Sequence, residues 1–196
     1  MGYYLLLFFL AYLLLTMALP HWRLMRQTGQ RAFVVPNDDS AQGYIGKVFR
    51  LLFLLALLVL CTNAFVPAWR PYLLPVFFLE QTWIKWAGLV LLHLSLLFIV
   101  FAQYQMSRSW RVGFDEKQKT ELVTGGVFRY SRNPIFLGML TTMVGLFLAL
   151  PNALTFAALL LAIVVLQIQV RLEEVYLRKV HGEAYLDYEK RVGRWV

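Results

Sequence analysis

Two short groups of residues carry the side chains best suited to chemistry. The first reads Leu122-Val123-Thr124-Gly125-Gly126-Val127-Phe128-Arg129-Tyr130-Ser131-Arg132-Asn133-Pro134. The second is Arg171-Leu172-Glu173-Glu174. Gly125-Gly126 permits a tight backbone turn. Asn133-Pro134 reads as a helix start, with Asn as N-cap and Pro at the first helical position. A helix N-terminus offers free N–H groups and a partial positive charge. Arg129 and Arg132 add full charges beside it. Together they suit an anion such as a carboxylate or phosphate. The competing reading is a well-capped membrane helix with snorkelling arginines. In the second group, adjacent helical carboxylates project about 100° apart, so Glu173 and Glu174 are not a shared-proton pair. Each can accept hydrogen bonds from hydroxyl or ammonium groups. The competing reading is an exposed helix end, with Glu174 paired to Arg178 at i,i+4. Acidic residues near a helix C-terminus are disfavoured, an objection that disappears if the helix continues past Lys179.

Composition says what kind of elements must position these groups. Of 196 residues, 60% are hydrophobic and 15% charged, against about 45–50% and about 25% in a soluble domain. A water-soluble enzyme, a disordered chain and a secreted disulfide scaffold are excluded; Cys61 is the only cysteine. A bilayer core needs roughly 20 apolar residues per helix. Five stretches qualify, at about 3–19, 48–66, 84–104, 134–150 and 153–170. The chain therefore reads as an all-α, integral membrane protein: one domain over 1–196, five transmembrane helices and a helical tail at 171–196. The last two stretches are joined only by Pro151-Asn152, which forces antiparallel neighbours. Arg132 and Asn133 lie about 19 residues before that turn, and Glu173 and Glu174 about 21 after it. At 1.5 Å per residue both groups sit roughly 30 Å from the turn. The two groups are thus expected to converge at one membrane surface. The tail starts a new helix after Gly182 and serves as an amphipathic surface helix or as a lid over that site.

Charge placement orients the helices. Of the 19 basic residues, 17 fall in the loop after the first stretch, the loop after the third and the tail; Arg70 and Lys85 lie on the other side. The positive-inside rule puts those loops and the C-terminus in the cytoplasm and the N-terminus in the periplasm of a cell inner membrane. Nothing basic precedes Tyr3, so the first stretch is expected to stay as an uncleaved helix. Trp22, Trp69, Trp83 and Trp86 flank stretches as interfacial anchors do. The net charge of +8 reports topology, and no nucleic-acid partner is expected, since no recognition motif accompanies it.

An ordered set of residues resembles the isoprenylcysteine carboxyl methyltransferase and phospholipid methyltransferase superfamily. The set comprises Trp110, Glu121-Leu122-Val123, Gly126 and Arg132-Asn133-Pro134-Ile135-Phe136-Leu137-Gly138. It continues with Glu173-Glu174, Gly182, Tyr185, Tyr188, Gly193 and Arg194. It covers roughly the C-terminal half. The resemblance implies an integral-membrane methyltransferase that uses S-adenosyl-L-methionine, with a cytoplasmic cofactor pocket. That pocket is built from the loop before the fourth helix, the helical hairpin and the tail. It assigns Leu122, Val123, Gly126, Arg132, Asn133, Pro134, Glu173, Glu174, Tyr185, Tyr188 and Arg194 to cofactor binding, and Arg132, Glu173 and Glu174 to the reaction centre. Two positions depart: the best-known branch has His in place of Asn133 and Tyr in place of Phe136. Asn cannot act as a titrating base, so the likeness is to a bacterial branch.

The implied chemistry needs few catalytic side chains, because a sulfonium methyl is already activated and positioning supplies most of the acceleration. A carboxylate acceptor needs no base. A thiol or protonated amine must lose a proton, to Glu174 or water. A hydrophobic or lipid-like acceptor would enter from the membrane and the cofactor from the cytosol. Two other readings are a non-catalytic membrane scaffold or transporter subunit and a membrane oxidoreductase. No Gly-x-Gly-x-x-Gly motif supports the last. His21, His93 and His181 show no metal-ligand spacing, so no metal site is expected. His93 is expected to be a neutral histidine bonded to a neighbouring helix. Trp110 reads equally as a pocket residue or an interfacial anchor, and Cys61 as a small core residue.

Overall fold

The computed structural model describes residues 1–36, 38–113 and 120–196. Lys117 and Lys119 of the charge tally lie outside the described residues, as does the side chain of Arg108. The chain is all-helical, with only isolated bridges and no β-strand among the described residues. We number the main helices α1 (Gly2–Thr28), α2 (Ala41–Phe65), α3 (Thr82–Met106), α4 (Pro134–Ala149), α5 (Ala153–His181) and α6 (Glu183–Arg191). Four of these, α1, α2, α3 and α5, are long and apolar enough to cross a membrane. Large apolar side chains such as Leu7, Leu54, Leu97 and Val164 cover their outer faces, as lipid contact requires.

The fourth expected stretch, 134–150, forms a helix with nearly those bounds, but it is not long enough to count among the candidate spans. Pro134 starts α4 and Pro151 follows its end, leaving 16 residues. That rises about 24 Å, short of a bilayer core of about 30 Å. The first stretch is longer than expected and runs on to Thr28 through a π-helical turn at Leu14–Ala18. Pro20 has no N–H to give the carbonyl of Thr16, four residues earlier. The amide of Gln103, from α3, donates to that carbonyl instead, at 2.9 Å. A proline inside a span is thus accommodated by a neighbouring side chain.

α4 is wedged between α3 and α5. Small residues set its contact with α3: a Cβ on Gly88 would meet the Ala149 nitrogen at 2.6 Å and the Gly145 oxygen at 2.8 Å. Ser95 and Thr142 hydrogen-bond across the same interface at 2.9 Å. Leu5, Val59, Leu60, Leu92 and Leu146 form the core where α1 to α4 meet, toward the α4–α5 turn. His93 is bonded to the Tyr4 hydroxyl of α1 at 2.7 Å and to the Leu89 carbonyl. It is a helix-to-helix tie. At the opposite end of the bundle, the segment after α1 pairs with the segment after α3. The Val34 N–H donates to the Val112 carbonyl, and the Val112 N–H donates to the Ala32 carbonyl.

Candidate active site

The α4–α5 hairpin brings the two charged groups together. Asn152 caps α5 by accepting from Leu154 and Thr155 at 3.0 Å each, which fixes the turn. At the far end the Arg132 guanidinium lies 3.1 Å from a Glu174 carboxylate oxygen. α5 continues to His181, so both glutamates sit inside the helix and the dipole objection does not apply.

The tail then folds back over this junction. Gly182 reverses the chain at φ +54, a conformation that costs glycine little. Arg178 grips Glu189 with two hydrogen bonds, at 2.9 and 2.6 Å. Glu189 also lies 2.7 Å from Arg132. Further on, Arg194 clamps Glu174 with two bonds at 2.9 and 2.7 Å. The Arg132 N–H donates to the Gly193 carbonyl, and the Tyr188 hydroxyl to the Phe128 carbonyl. Hydrogen bonds from Arg178, then Arg132, hold the Glu189 carboxyl down to about 2. Burial pushes the Tyr185 and Tyr188 hydroxyls up to about 12, so both are donors at neutral pH.

Two expected contacts are replaced. Glu174 is not the partner of Arg178: it is buried and held by Arg132 and Arg194, while Arg178 takes Glu189. Asn133 stands at the N-cap position but makes no capping bond. Its side-chain amide instead donates to the Arg194 carbonyl of the folded-back tail at 3.1 Å.

Two cavities border this network. A tail-side cavity of about 80 Å³ is lined by Leu122, Val123, Phe128, Tyr176, Tyr185 and Tyr188. A larger chamber of about 590 Å³ reaches into the helices past Trp110, Asn133, Pro134, Phe136 and Met139. Arg132, Glu173, Arg111 and Phe128 line both. Glu173 has no hydrogen bond or ion pair with any described residue, unlike its neighbour Glu174. Glu174, Arg194 and Gly126 line neither cavity. Gly126 has φ +59, and a Cβ there would collide with the side chain of Gln105, whose oxygen accepts from the Val127 N–H at 2.9 Å.

Sequence reasoning did not find Glu189, Arg111, or the wall contributed by Phe33, Val35, Ile45, Phe49 and Arg50. Gly182 between two charged helical segments was the available signal for Glu189. The N-terminal wall arises from the pairing of the 32–34 and 112 backbones, which leaves no periodic trace.

No curated protein matches the chain. The phospholipid methyltransferase family does, over residues 83–184, a span that runs from the start of α3 into α6 and includes the hairpin, Arg132 and both glutamates. The chain therefore belongs to the phospholipid methyltransferase family and is a membrane methyltransferase.

Proposed function

We propose that the whole chain, 1–196, is one membrane domain that transfers a methyl group from S-adenosyl-L-methionine to a hydrophobic or lipid-like acceptor at the cytoplasmic membrane face. The observation that carries this reading is that Arg132 and Glu173 form a wall common to a tail-covered cavity of mixed lining and a larger, mostly apolar chamber. One side suits a charged nucleoside cofactor and the other an apolar acceptor, with the reacting atoms meeting between them.

The residues present fit that cofactor. Glu173 is a carboxylate without a partner among the described residues, suited to an ammonium or ribose hydroxyl. Phe128, Leu122 and Val123 offer apolar surface, and Arg132, already paired with Glu174 and Glu189, keeps a buried Nε that has no hydrogen-bond partner among the described residues and can donate to a cofactor oxygen. The tail-side cavity, at about 80 Å³, is smaller than the roughly 300 Å³ of a small-molecule site. Binding therefore lifts α6 and the chain end from the 120–128 loop, and the Glu174 and Glu189 ion pairs restore the cover. When bound, S-adenosylmethionine supplies an activated methyl group. The protein's part is positioning, water exclusion by the apolar chamber walls, and proton handling. Where the acceptor is an amine or thiol, Glu173 is the carboxylate placed to receive its proton, since both Glu174 oxygens are engaged by arginines.

In the membrane, α4 completes a fifth crossing with the short turns at its two ends. The distribution of basic residues supports α6 in the cytoplasm and the N-terminus in the periplasm of an inner membrane. Titration calorimetry of the purified protein with S-adenosylhomocysteine tests the reading. One site per chain is expected, and absence of binding overturns it.

A further inference from the structure

Two buried carboxamides line the larger chamber with hydrogen-bonding capacity that the fold does not use. Gln169, on α5, is 6% exposed and has no hydrogen-bond partner among the described residues. Gln103, on α3, is also 6% exposed; its Nε2 donates to the Thr16 carbonyl, which fixes the direction of the amide. Its Oε1 is then buried with no partner. A buried polar group left unmet costs free energy that a ligand can return. The cations of the chamber carry no such debt. Arg132 is paired with Glu174 and Glu189. Arg111 donates to Gln30 and to the Trp110 carbonyl. Arg50 is exposed and donates to the Gly46 carbonyl. The groups left to answer are two neutral amides and the Glu173 carboxylate. Gln169 and Glu173 are four residues apart on one face of α5, about 6 Å along its axis. Around them the walls carry Phe33, Phe49, Phe53, Trp110, Phe128 and Phe136. Aromatic walls receive a planar ring by stacked and edge contacts, and about 590 Å³ falls in the size range of a site for one drug-sized molecule.

We propose that the methyl acceptor is a lipophilic ring compound of the phenol class, uncharged when it binds, and that Gln169 and Gln103 hold its polar edge. This deepens the methyltransferase reading and rests on it. The reacting hydroxyl donates to Glu173 and accepts from the Gln169 amide. Gln103 Oε1 accepts from a second hydroxyl on the ring. In the transfer, the phenol oxygen bonds to the sulfonium methyl carbon and the carbon–sulfur bond breaks, its electron pair staying on sulfur. The phenol proton passes to Glu173, leaving an aryl methyl ether.

The probes are 4-nonylphenol, 4-nonylcatechol, nonylbenzene, dodecanoate, dodecylamine and dodecyl phosphate, bound to the full-length protein in neutral detergent and read by native mass spectrometry. The wild type should bind 4-nonylphenol at least about tenfold more tightly than nonylbenzene, as two hydrogen bonds supply, and 4-nonylcatechol severalfold more tightly again. Gln169→Leu should lose most of the preference for phenol over nonylbenzene while binding nonylbenzene and S-adenosylhomocysteine as the wild type does. Its Tm should not fall, because the change removes an unmet buried amide. Given methyl-labelled S-adenosylmethionine, the wild type should convert 4-nonylphenol to labelled 4-nonylanisole, and Gln169→Leu should do so at least tenfold more slowly. An undiminished preference in Gln169→Leu, or a lowered Tm with lost cofactor binding, overturns the role of Gln169. Equal binding of catechol and phenol overturns that of Gln103. Any of the three charged amphiphiles binding as tightly as 4-nonylphenol overturns the neutral class. Protein that binds both S-adenosylhomocysteine and 4-nonylphenol yet forms no ether overturns the acceptor assignment. Absence of S-adenosylhomocysteine binding would strike the methyltransferase reading instead, while the phenol preference, measured without that ligand, decides the chamber's ligand class.

Discussion

Neighbouring glutamates with opposite roles offer the sharpest perturbation. Glu174 is 2% exposed and receives two hydrogen bonds from Arg194 and an ion pair from Arg132. Glu174→Gln keeps the shape and removes the charge. Breaking a buried pair by neutralising one partner costs about 3–5 kcal/mol. Two features place this site at the lower end. The Arg194 side chain is 32% exposed and can rehydrate, and Arg132 keeps Glu189 at 2.7 Å. The expected loss is therefore about 3 kcal/mol, or roughly 100-fold in the ratio of docked to undocked tail. Glu173→Gln removes a charge that has no partner among the described residues. It should change tail docking within about 0.5 kcal/mol while weakening S-adenosylhomocysteine binding about 10- to 150-fold. Limited trypsin cleavage within the tail, which carries Lys190, Arg191 and Arg194, reads docking. Calorimetry on the same preparations reads binding. A tail equally protected in Glu174→Gln and wild type, or a Glu173→Gln variant that binds normally, would refute this division of labour.

Other outcomes follow from the same network. Asn133→Asp cannot donate to the Arg194 carbonyl, so it should destabilise tail docking by about 1 kcal/mol in the trypsin assay, whereas a simple capping role would leave docking unchanged. Gly126→Ala forces a side chain onto a positive φ and into Gln105; a loss of more than about 1 kcal/mol in thermal stability is expected. Glu189 has a folded pKa of about 2, below its ordinary 4.5. Its contribution to docking is full above about pH 4.5 and is lost as pH falls toward 2. Fluorescence of Trp195, measured with the other tryptophans replaced by Phe, should report release in that window, and Glu189→Gln should abolish the transition. Cysteines introduced at positions 30 and 190 should resist labelling from outside intact cells; efficient labelling there would overturn the orientation.

Much of the site's placement is readable from counting alone. Equal distances from the Pro151-Asn152 turn put Arg132 and Glu174 at one level, and a 3.1 Å approach is what the fold provides. Helix existence follows from apolar length. What counting misses depends on closure over long separations. Gly182 reverses the chain so that Glu189, rather than Glu174, meets Arg178, and Arg194 returns to Glu174. Local spacing favoured the i,i+4 pair because the competing partners lie in a tail whose path no periodicity encodes. Asn133 looked like a cap for the same reason: its true acceptor, the Arg194 carbonyl, is 61 residues away. The length of α4 and the run of α1 past Pro20 follow from proline positions, but the second needed Gln103 from another helix to be tolerated.

Methyl transfer itself tests the central claim most directly. Purified protein would be incubated with methyl-labelled S-adenosylmethionine and a lipid extract of the host membrane, and the lipid products separated. The account predicts label in a lipid-phase product, formed by the wild type and reduced at least tenfold in Glu173→Gln. Label that never leaves the cofactor across every lipid fraction, in protein that binds S-adenosylhomocysteine, would contradict a hydrophobic acceptor.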